Sequence, residues 1–596
     1  MPGRSLLEIQ SPSDIKGWSV AQLEALADEV REFLIESCAK TGGHIGANLG
    51  VVELTIAMHY VFDSPHDQMV WDTSHQVYTH KILTGRAAML PTLNSFGGMA
   101  RFVRREESEH DIMDASHGGT SISTAIGLSK AKEMRGAGGT VLATIGDGSL
   151  VEGMAWEALN HAATLRSNMI IIINDNGMAI AENVGGIAKM FGDPDWPTRC
   201  ADFFQSLGFH YLSEPEGHNI DRLIRVFQRA GETPRPTIVH IKTEKGHLLA
   251  GAENHPYRMH FSAPFDPWTL KADAVPRKTY GWIAGDELHK VMAQDASVVA
   301  IYPATPYASY LEQCIRDFPD RTIDVGMAEQ HALCFGTGLA LNQVKPVVCY
   351  QATFMQRAMD QILHDACFMD LPVTLLSVRS GFAGYDGPTH HGIFDLPYLR
   401  SFPNLRIVYP KDQFELRRII RERLLGEPEH PLAILHPYEA VIDGETDDHE
   451  DAEAFARSQV IGGPARDGLI LTVGNRISTA REVQEHLQEL GLGFAIVHAR
   501  WLKPLPEEQL IDLLGQVPVA VSMEEYVLNG GFGSMIAELI CDNALDTELL
   551  RVGIDDTFAE AGTKAELSKV YHLDTASVLA RMEERWPFLF EQGGVS

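Results

Sequence analysis

Residues 143–176 read ATIGDGSLVEGMAWEALNHAATLRSNMIIIINDN, and this stretch decides the fold. An apolar run, Val141 to Ile145, enters Gly146-Asp147-Gly148. A segment with helical period follows, from about Glu152 to Leu165, and a second apolar run, Met169 to Ile173, ends in Asn174-Asp175-Asn176. Strand, helix, strand in this order predicts a right-handed βαβ unit. Both polar clusters then lie at the carboxyl ends of neighbouring strands, where open α/β sheets place ligands.

Working outward, the same alternation recurs. A later strand, Thr237 to Ile241, leads into Lys242-Thr243-Glu244-Lys245-Gly246. Residues 276–455 alternate strands at Ser297–Tyr302, Thr322–Val325, Pro346–Tyr350, Pro372–Val378, Arg406–Tyr409 and Leu432–Leu435 with helical segments. Such alternation predicts a mainly parallel sheet. Residues 456–596 place strands at Leu469–Val473, Gly493–Val497 and Val519–Ser522, and a glycine turn, Gly530 to Gly533, precedes another helix. The fold class is therefore α/β, with three domains at 1–275, 276–455 and 456–596. The acidic run DGETDDHEDAEAF, 443–455, reads as an exposed linker. The Gly- and Pro-bearing stretch 185–200, GGIAKMFGDPDWPTRC, reads as a loop or lid.

At 596 residues the chain exceeds a single core. A formal charge of −31 argues against nucleic-acid or anionic-membrane partners, which need clustered Lys and Arg. Seven scattered cysteines without a C-x-x-C pair suggest reduced thiols and a cytoplasmic protein. The start, MPGRSLLEIQSPSD, lacks the apolar core of a signal peptide, and no apolar run reaches membrane-spanning length.

The chemistry of the opening stretch is that of a hard cation beside a phosphate. Asp147 offers a carboxylate and Asn176 a side-chain carbonyl, oxygen ligands that suit Mg²⁺. Flanking glycines let backbone approach a phosphate, and a helix amino terminus favours its charge. A second candidate is Glu329, in Val325-Gly-Met-Ala-Glu-Gln-His331, directly after a strand. The pair resembles the thiamine diphosphate motifs of transketolase-type enzymes. Further matching stretches are GGHIGANLGVVELTIAMHYVF (42–62), WDTSHQVYTHKILTGR (71–86), SHGGTSIS (116–123), ATFMQRAMDQILHD (352–365), GYDGPTHHGIFDLPYLRSFPN (384–404), WLKPL (501–505) and Glu524-Glu525. Together they resemble the 1-deoxy-D-xylulose 5-phosphate synthase family of the transketolase superfamily, across nearly the whole chain.

The resemblance implies three α/β domains: a diphosphate and Mg²⁺ domain, an aminopyrimidine domain and a transketolase C-terminal domain. It also implies a homodimer in which each chain supplies one whole thiamine diphosphate site. By resemblance Asp147, Asn176 and the backbone oxygen of Met178 ligate the metal. His75, His117, Gly118, Gly119, Gly146, Gly148 and Ser149 line the diphosphate and thiazolium. Phe354 stacks on the aminopyrimidine and Glu329 activates it. His44, His75, His390 and Asp386, with Arg357 and Arg379, belong to the reacting end. His80, His110 and His161 are read as structural or solvated, and His260 ranks below the named histidines.

The implied activity is that of a transferase that decarboxylates pyruvate and joins the two-carbon unit to an aldehyde, either glyceraldehyde 3-phosphate or an unphosphorylated one. Transketolase-type ketol transfer and a non-catalytic cofactor-binding protein are the alternatives. The family pattern Arg-Tyr-Pro-Arg-Gly appears here as Leu435-His436-Pro437-Tyr438-Glu439, and Gln351 replaces a family tyrosine. Loss of an arginine-to-phosphate bond weakens binding by about one to two decades. Glu439 would add to this if it faced the site, whereas His436 or Lys411 could compensate. Leu249 stands where the family usually has a tyrosine, and 185–200 is short for the family.

Overall fold

The computed structural model describes residues 6–272, 278–441 and 451–590. The Val275/Pro276 boundary and residues 443–450 of the acidic run lie outside them. The chain forms two compact units. One comprises Met1–Val275 with Val325–Ala328, the other Pro276–Asp324 with Glu329–Ser596.

The first unit is built on five parallel strands: β1 (Gln68–Trp71), β2 (Val141–Gly146), β3 (Ile170–Asp175), β4 (His210–Glu214) and β5 (Thr237–Lys242), in the order β1-β2-β3-β5-β4. β3 is IIIIND and wholly buried. A strand covered on both faces needs continuous apolar sequence rather than alternation. Ile170 and Ile172 enter one core, Ile171 and Ile173 the core on the opposite face. Between β2 and β3 the helix Gly153–Ala162 buries Ala155, Ala158, Leu159 and Ala162, a spacing that puts one stripe on the sheet.

The second unit holds two sheets. In one, β6 (Val298–Tyr302), β7 (Thr322–Asp324), β8 (Lys345–Gln351), β9 (Thr374–Val378), β10 (Arg406–Val408) and β11 (Leu432–His436) are parallel. In the other, β13 (Gly468–Thr472), β14 (Phe494–His498), β16 (Val519–Val527) and β17 (Glu548–Ile554) are parallel, and β12 (Gln459–Ile461) pairs antiparallel with β14. One strand from the 456–596 region, β15 (Trp501–Lys503), leaves this sheet and adds antiparallel to β10. The resulting orders are β15-β10-β11-β9-β8-β6-β7 and β12-β14-β13-β16-β17.

The stretch 185–200 is not a loop. It folds as the helix Gly185–Phe191 and the start of the helix Trp196–Leu207. Its Gly and Pro are helix-start signals: Gly185 turns at φ +91°, and Pro197 sits in the first turn, where no N–H is needed. Among the described residues, no helix is long and apolar enough to cross a membrane.

Candidate functional site

In both units the chemistry-bearing residues follow the carboxyl ends of parallel strands. In the first unit, β1 leads to Asp72 and His75, β2 to Asp147, β3 to Asn176 and β5 to Lys245. In the second, β7 leads toward Glu329, β8 to Phe354, β9 to Arg379 and β11 to Tyr438.

Asp147 is buried. Its Oδ2 accepts from Gly177 N at 2.7 Å and Asn183 Nδ2 at 2.8 Å. Its Oδ1 is buried with no hydrogen-bond partner in the protein. Burial, and then the neighbouring Asp175, push the Asp147 carboxyl well above the usual range. A buried carboxylate oxygen with nothing to bind is costly unless a cation meets it. Asp175 differs: burial opposes its charge, but His240 at 2.7 Å and Lys242 hold it below the ordinary value. Asn176 Oδ1 accepts from Met178 N at 3.1 Å, closing a local turn, and Met178 bridges to Glu182. Gly177 is left-handed at φ +77°. A Cβ on Gly148 would lie 2.7 Å from that of Ala179, so this approach requires glycine.

The His117-Gly118-Gly119 turn rests on Glu152. A Cβ on Gly118 would come within 2.2 Å of Glu152 Oε1. Asp72 fixes the turn from the other side, accepting from Gly119 N at 2.9 Å and Ser121 N at 3.1 Å. Burial raises the Asp72 carboxyl, and these amides oppose the rise. Thr73 and Ser74 are both left-handed, φ +54° and +57°, and the turn they make presents His75. Asn48 binds the carbonyls of His44 (2.9 Å) and His75 (2.8 Å), which joins those two segments.

His44 and His75 come together as expected, their ring centroids 5.6 Å apart. The structure adds His260, which lies 5.5 Å from His44 and 5.1 Å from His75. The irregular spacing around His260 in sequence does not reveal this placement. Its segment is stitched to residue 46 by Gly46 N to Met259 O, 2.8 Å, and an added Cβ at Gly46 would meet Arg258 O at 2.0 Å. No periodicity signals this contact, because it is made between loops. Burial, then Lys245, lowers His75 to about 3, and His260 falls well below its usual value for the same two reasons. Both rings are therefore neutral near pH 7. Lys245 was missed as a site residue. Its Nζ donates to Ala179 O at 2.5 Å, and burial lowers it to about 7 against the pull of Asp147. Its place just beyond β5, the strand beside β3, was the available signal.

His80 and His110 are structural, as read. His80 bridges His59 (2.9 Å) and Asp111 (2.9 Å), and His110 binds Ser64 (2.9 Å). A further cluster, Glu53, His218 and His247, has groups spaced closely enough for a cation. His218 already spends both ring nitrogens, on Glu53 and on the amide of Glu244, each at 2.9 Å.

In the second unit Glu329 opens the helix Glu329–Ala340 and is buried. Burial raises its carboxyl above the ordinary value, and Arg357 opposes the rise. Tyr350 OH donates to the Glu329 carbonyl at 2.7 Å. Phe354 meets His390 edge-on, centroids 5.6 Å apart. Arg379 Nη1 pairs with Asp386 at 2.9 Å, and its guanidinium lies 4.3 Å from the centre of the Tyr438 ring. Glu439 does not stand as a free charge, for Lys564 binds it at 2.6 Å. Lys411 cannot compensate for a missing arginine, because Glu415 and Asp412 hold it at 2.7 and 2.9 Å. His436 is buried and lowered by burial to about 4, so it is neutral.

Residues 6–195 and 196–243 match the family described as 1-deoxy-D-xylulose-5-phosphate synthase. Residues 278–441 match the transketolase pyrimidine binding domain, and 460–578 the transketolase C-terminal domain. The chain is 36% identical to the 1-deoxy-D-xylulose-5-phosphate synthase of Halothermothrix orenii over 96% of each chain. It is 38% identical to 1-deoxy-D-xylulose-5-phosphate synthase 1 of Geobacter sulfurreducens, again over 96% of each. A transketolase structure from Pichia stipitis is similar at 16% identity and a TM-score of 0.46, covering 96% of this chain and 98% of that one. With this identity sustained from end to end, the chain belongs to the 1-deoxy-D-xylulose-5-phosphate synthase family.

Proposed function

We propose that this chain is a thiamine diphosphate-dependent transferase that decarboxylates pyruvate and condenses the two-carbon unit with an aldehyde, giving a 1-deoxyketose. The cofactor, when bound, supplies the electron sink for decarboxylation and carbon–carbon bond formation. The protein supplies placement, proton transfer and a dry environment. The observation that carries the reading is Asp147 Oδ1, buried and unpartnered one residue beyond β2, beside Asn176 at the end of β3. That donor set fits Mg²⁺, with Met178 O as the third protein ligand.

Each further residue has a role consistent with its setting. His117, Gly118, Gly119, Gly146, Gly148 and Ser149 would hold the diphosphate, where bare backbone can approach it. Glu329, kept protonated more readily by burial, is suited to share a proton with a ring nitrogen. Phe354 offers an apolar face. The neutral rings of His75 and His260 can each accept or donate one proton, and the His44 ring stands beside both. His390 and Asp386 complete the reacting end. We take 1–275, 276–455 and 456–596 as the domains, with β15 exchanged between the last two, and a homodimer as the working assembly.

Carbon dioxide release from pyruvate, dependent on Mg²⁺, thiamine diphosphate and an aldehyde, tests the reaction. Glu329→Gln should lower turnover by about 10²–10⁴-fold while tryptophan fluorescence still reports bound thiamine diphosphate. Full activity in that variant would remove Glu329 from the mechanism. Product from a ketose phosphate donor without carbon dioxide would replace the reaction itself.

A further inference from the structure

The stretch 456–596 supplies no residue to the proposed chemistry, yet it grips a loop that does. Asp386 and His390 lie on the loop between β9 and the helix Asp395–Leu399. The neck of that loop is closed by its own backbone: Gly381 and Gly392 exchange two hydrogen bonds, of 2.8 and 2.9 Å. Beside the neck, Phe382 and Ile393 are buried. They join the apolar core of 456–596, with Ile470, Val521 and Ile554, rather than that of the sheet that β9 belongs to.

His391 makes a second cross-link. Ala383 N–H donates to its Nδ1 at 2.9 Å, and its Nε2–H donates to the Glu560 carbonyl at 2.8 Å. An amide N–H only gives and a carbonyl only receives, so the two bonds together require one neutral tautomer. The residue is 3% exposed, and burial lowers its basicity against the pull of the Glu560 carbonyl, which suits that tautomer. Glu560 is itself held, because its N–H donates to Tyr571 OH at 2.9 Å. A second tie runs to the same turn: Tyr385 OH donates to Glu566 Oε2 at 2.9 Å.

The ties fall next to the two reacting-end residues. Tyr385 immediately precedes Asp386, and His391 immediately follows His390. An anchor beside a reacting side chain limits its displacement, and a shift of about 1 Å at a reacting centre costs about 10²-fold in rate. We propose that His391 is a positioning residue for the reaction, carrying the hold of the turn at 560–566 to His390 and Asp386 through the loop backbone. The inference rests on the carboligase reading above, which is what puts Asp386 and His390 at the reacting end.

The test uses the full chain with Mg²⁺, thiamine diphosphate, pyruvate and either glyceraldehyde 3-phosphate or glyceraldehyde. His391→Phe keeps an aromatic ring and removes both bonds, whereas His391→Gln keeps one acceptor and one donor. His391→Phe should lower kcat by about 10–100-fold and leave the Kd for thiamine diphosphate unchanged. It should also speed amide hydrogen exchange in peptides spanning 381–393 by about tenfold, one hydrogen bond's worth. His391→Gln should recover most of both losses. Tyr571→Phe loosens only Glu560, so it should act more weakly in the same direction, and it decides the matter if His391→Phe does not fold. A merely structural role would reduce the amount of folded protein and leave kcat per folded site as it was. Faster exchange with kcat unchanged, exchange unmoved by His391→Phe or by Tyr571→Phe, or a kcat as low in His391→Gln as in His391→Phe overturns the inference while the reaction stands. A wild type that turns over neither aldehyde removes the reaction and this role with it.

Discussion

One atom, the Oδ1 of Asp147, concentrates the account at the residue scale. Its partner oxygen is satisfied twice, by Gly177 and Asn183, while Oδ1 is buried without a hydrogen-bond donor and the carboxyl lies within hydrogen-bonding reach of the like-charged Asp175. Asp147→Asn keeps the shape and removes the charge. It should weaken Mg²⁺-dependent binding of thiamine diphosphate by about 10–100-fold, read by calorimetric titration, with little change in melting temperature without metal. Unchanged affinity would mean that another group holds the ion. How much of this was legible in sequence depends on the residue. Asp147 and Asn176 were visible because short motifs at strand ends carry their own chemistry. His260 and Lys245 were not, since a loop histidine and a strand-end lysine look alike whether they point at a site or at water. Only the contacts of 43–46 with 258–262 bring His260 to His44 and His75.

Among the elements, the turns after the strands do the placing. Asp72 ties the end of β1 to the His117–Gly119 turn through two backbone amides, and so fixes His75 and His117 together. Asp72→Ala leaves both amides without that acceptor. We expect a loss of about 1–3 kcal/mol in stability, measured by denaturant unfolding, and a raised Kd for thiamine diphosphate. A variant as stable as the wild type would show that the turn holds itself. The central strands were readable as unbroken apolar runs, and their observed ends differ from the expected ones by a residue or two, except in β16, which continues past Ser522 to Val527. β1, β4, β12, β15 and β17 were not identified. β12 and β15 are three residues each, too short for a pattern, and β15 pairs with β10, a strand far from it in sequence. Residues 185–200 read as a loop in sequence because Gly and Pro punctuate both loops and helix starts.

Across the whole molecule, burial of neutral histidines sets the response to acid. His436 is lowered to about 4 and His59 well below its usual value, in both cases chiefly by burial. In the unfolded chain each would titrate near 6.5. A depressed folded value means full stability above 6.5, lost as pH falls toward the folded value, because the unfolded state binds the proton first. His436 alone should cost about 2 kcal/mol between pH 7 and pH 5. Melting temperature should therefore fall across this interval, and His436→Gln should flatten the fall; an equally steep profile in that variant would reassign the effect. The three α/β sheets were legible as alternating patterns, whereas the exchange of β15 between regions and the division into two compact units were not, since both depend on contacts far apart in sequence. The most direct test of the cofactor reading is a crystal structure of the full chain with Mg²⁺ and thiamine diphosphate. The expected result is the metal on Asp147 Oδ1 and Asn176, with the diphosphate beside it at the ends of β2 and β3. A metal and diphosphate bound away from Asp147 and Asn176 would contradict the reading.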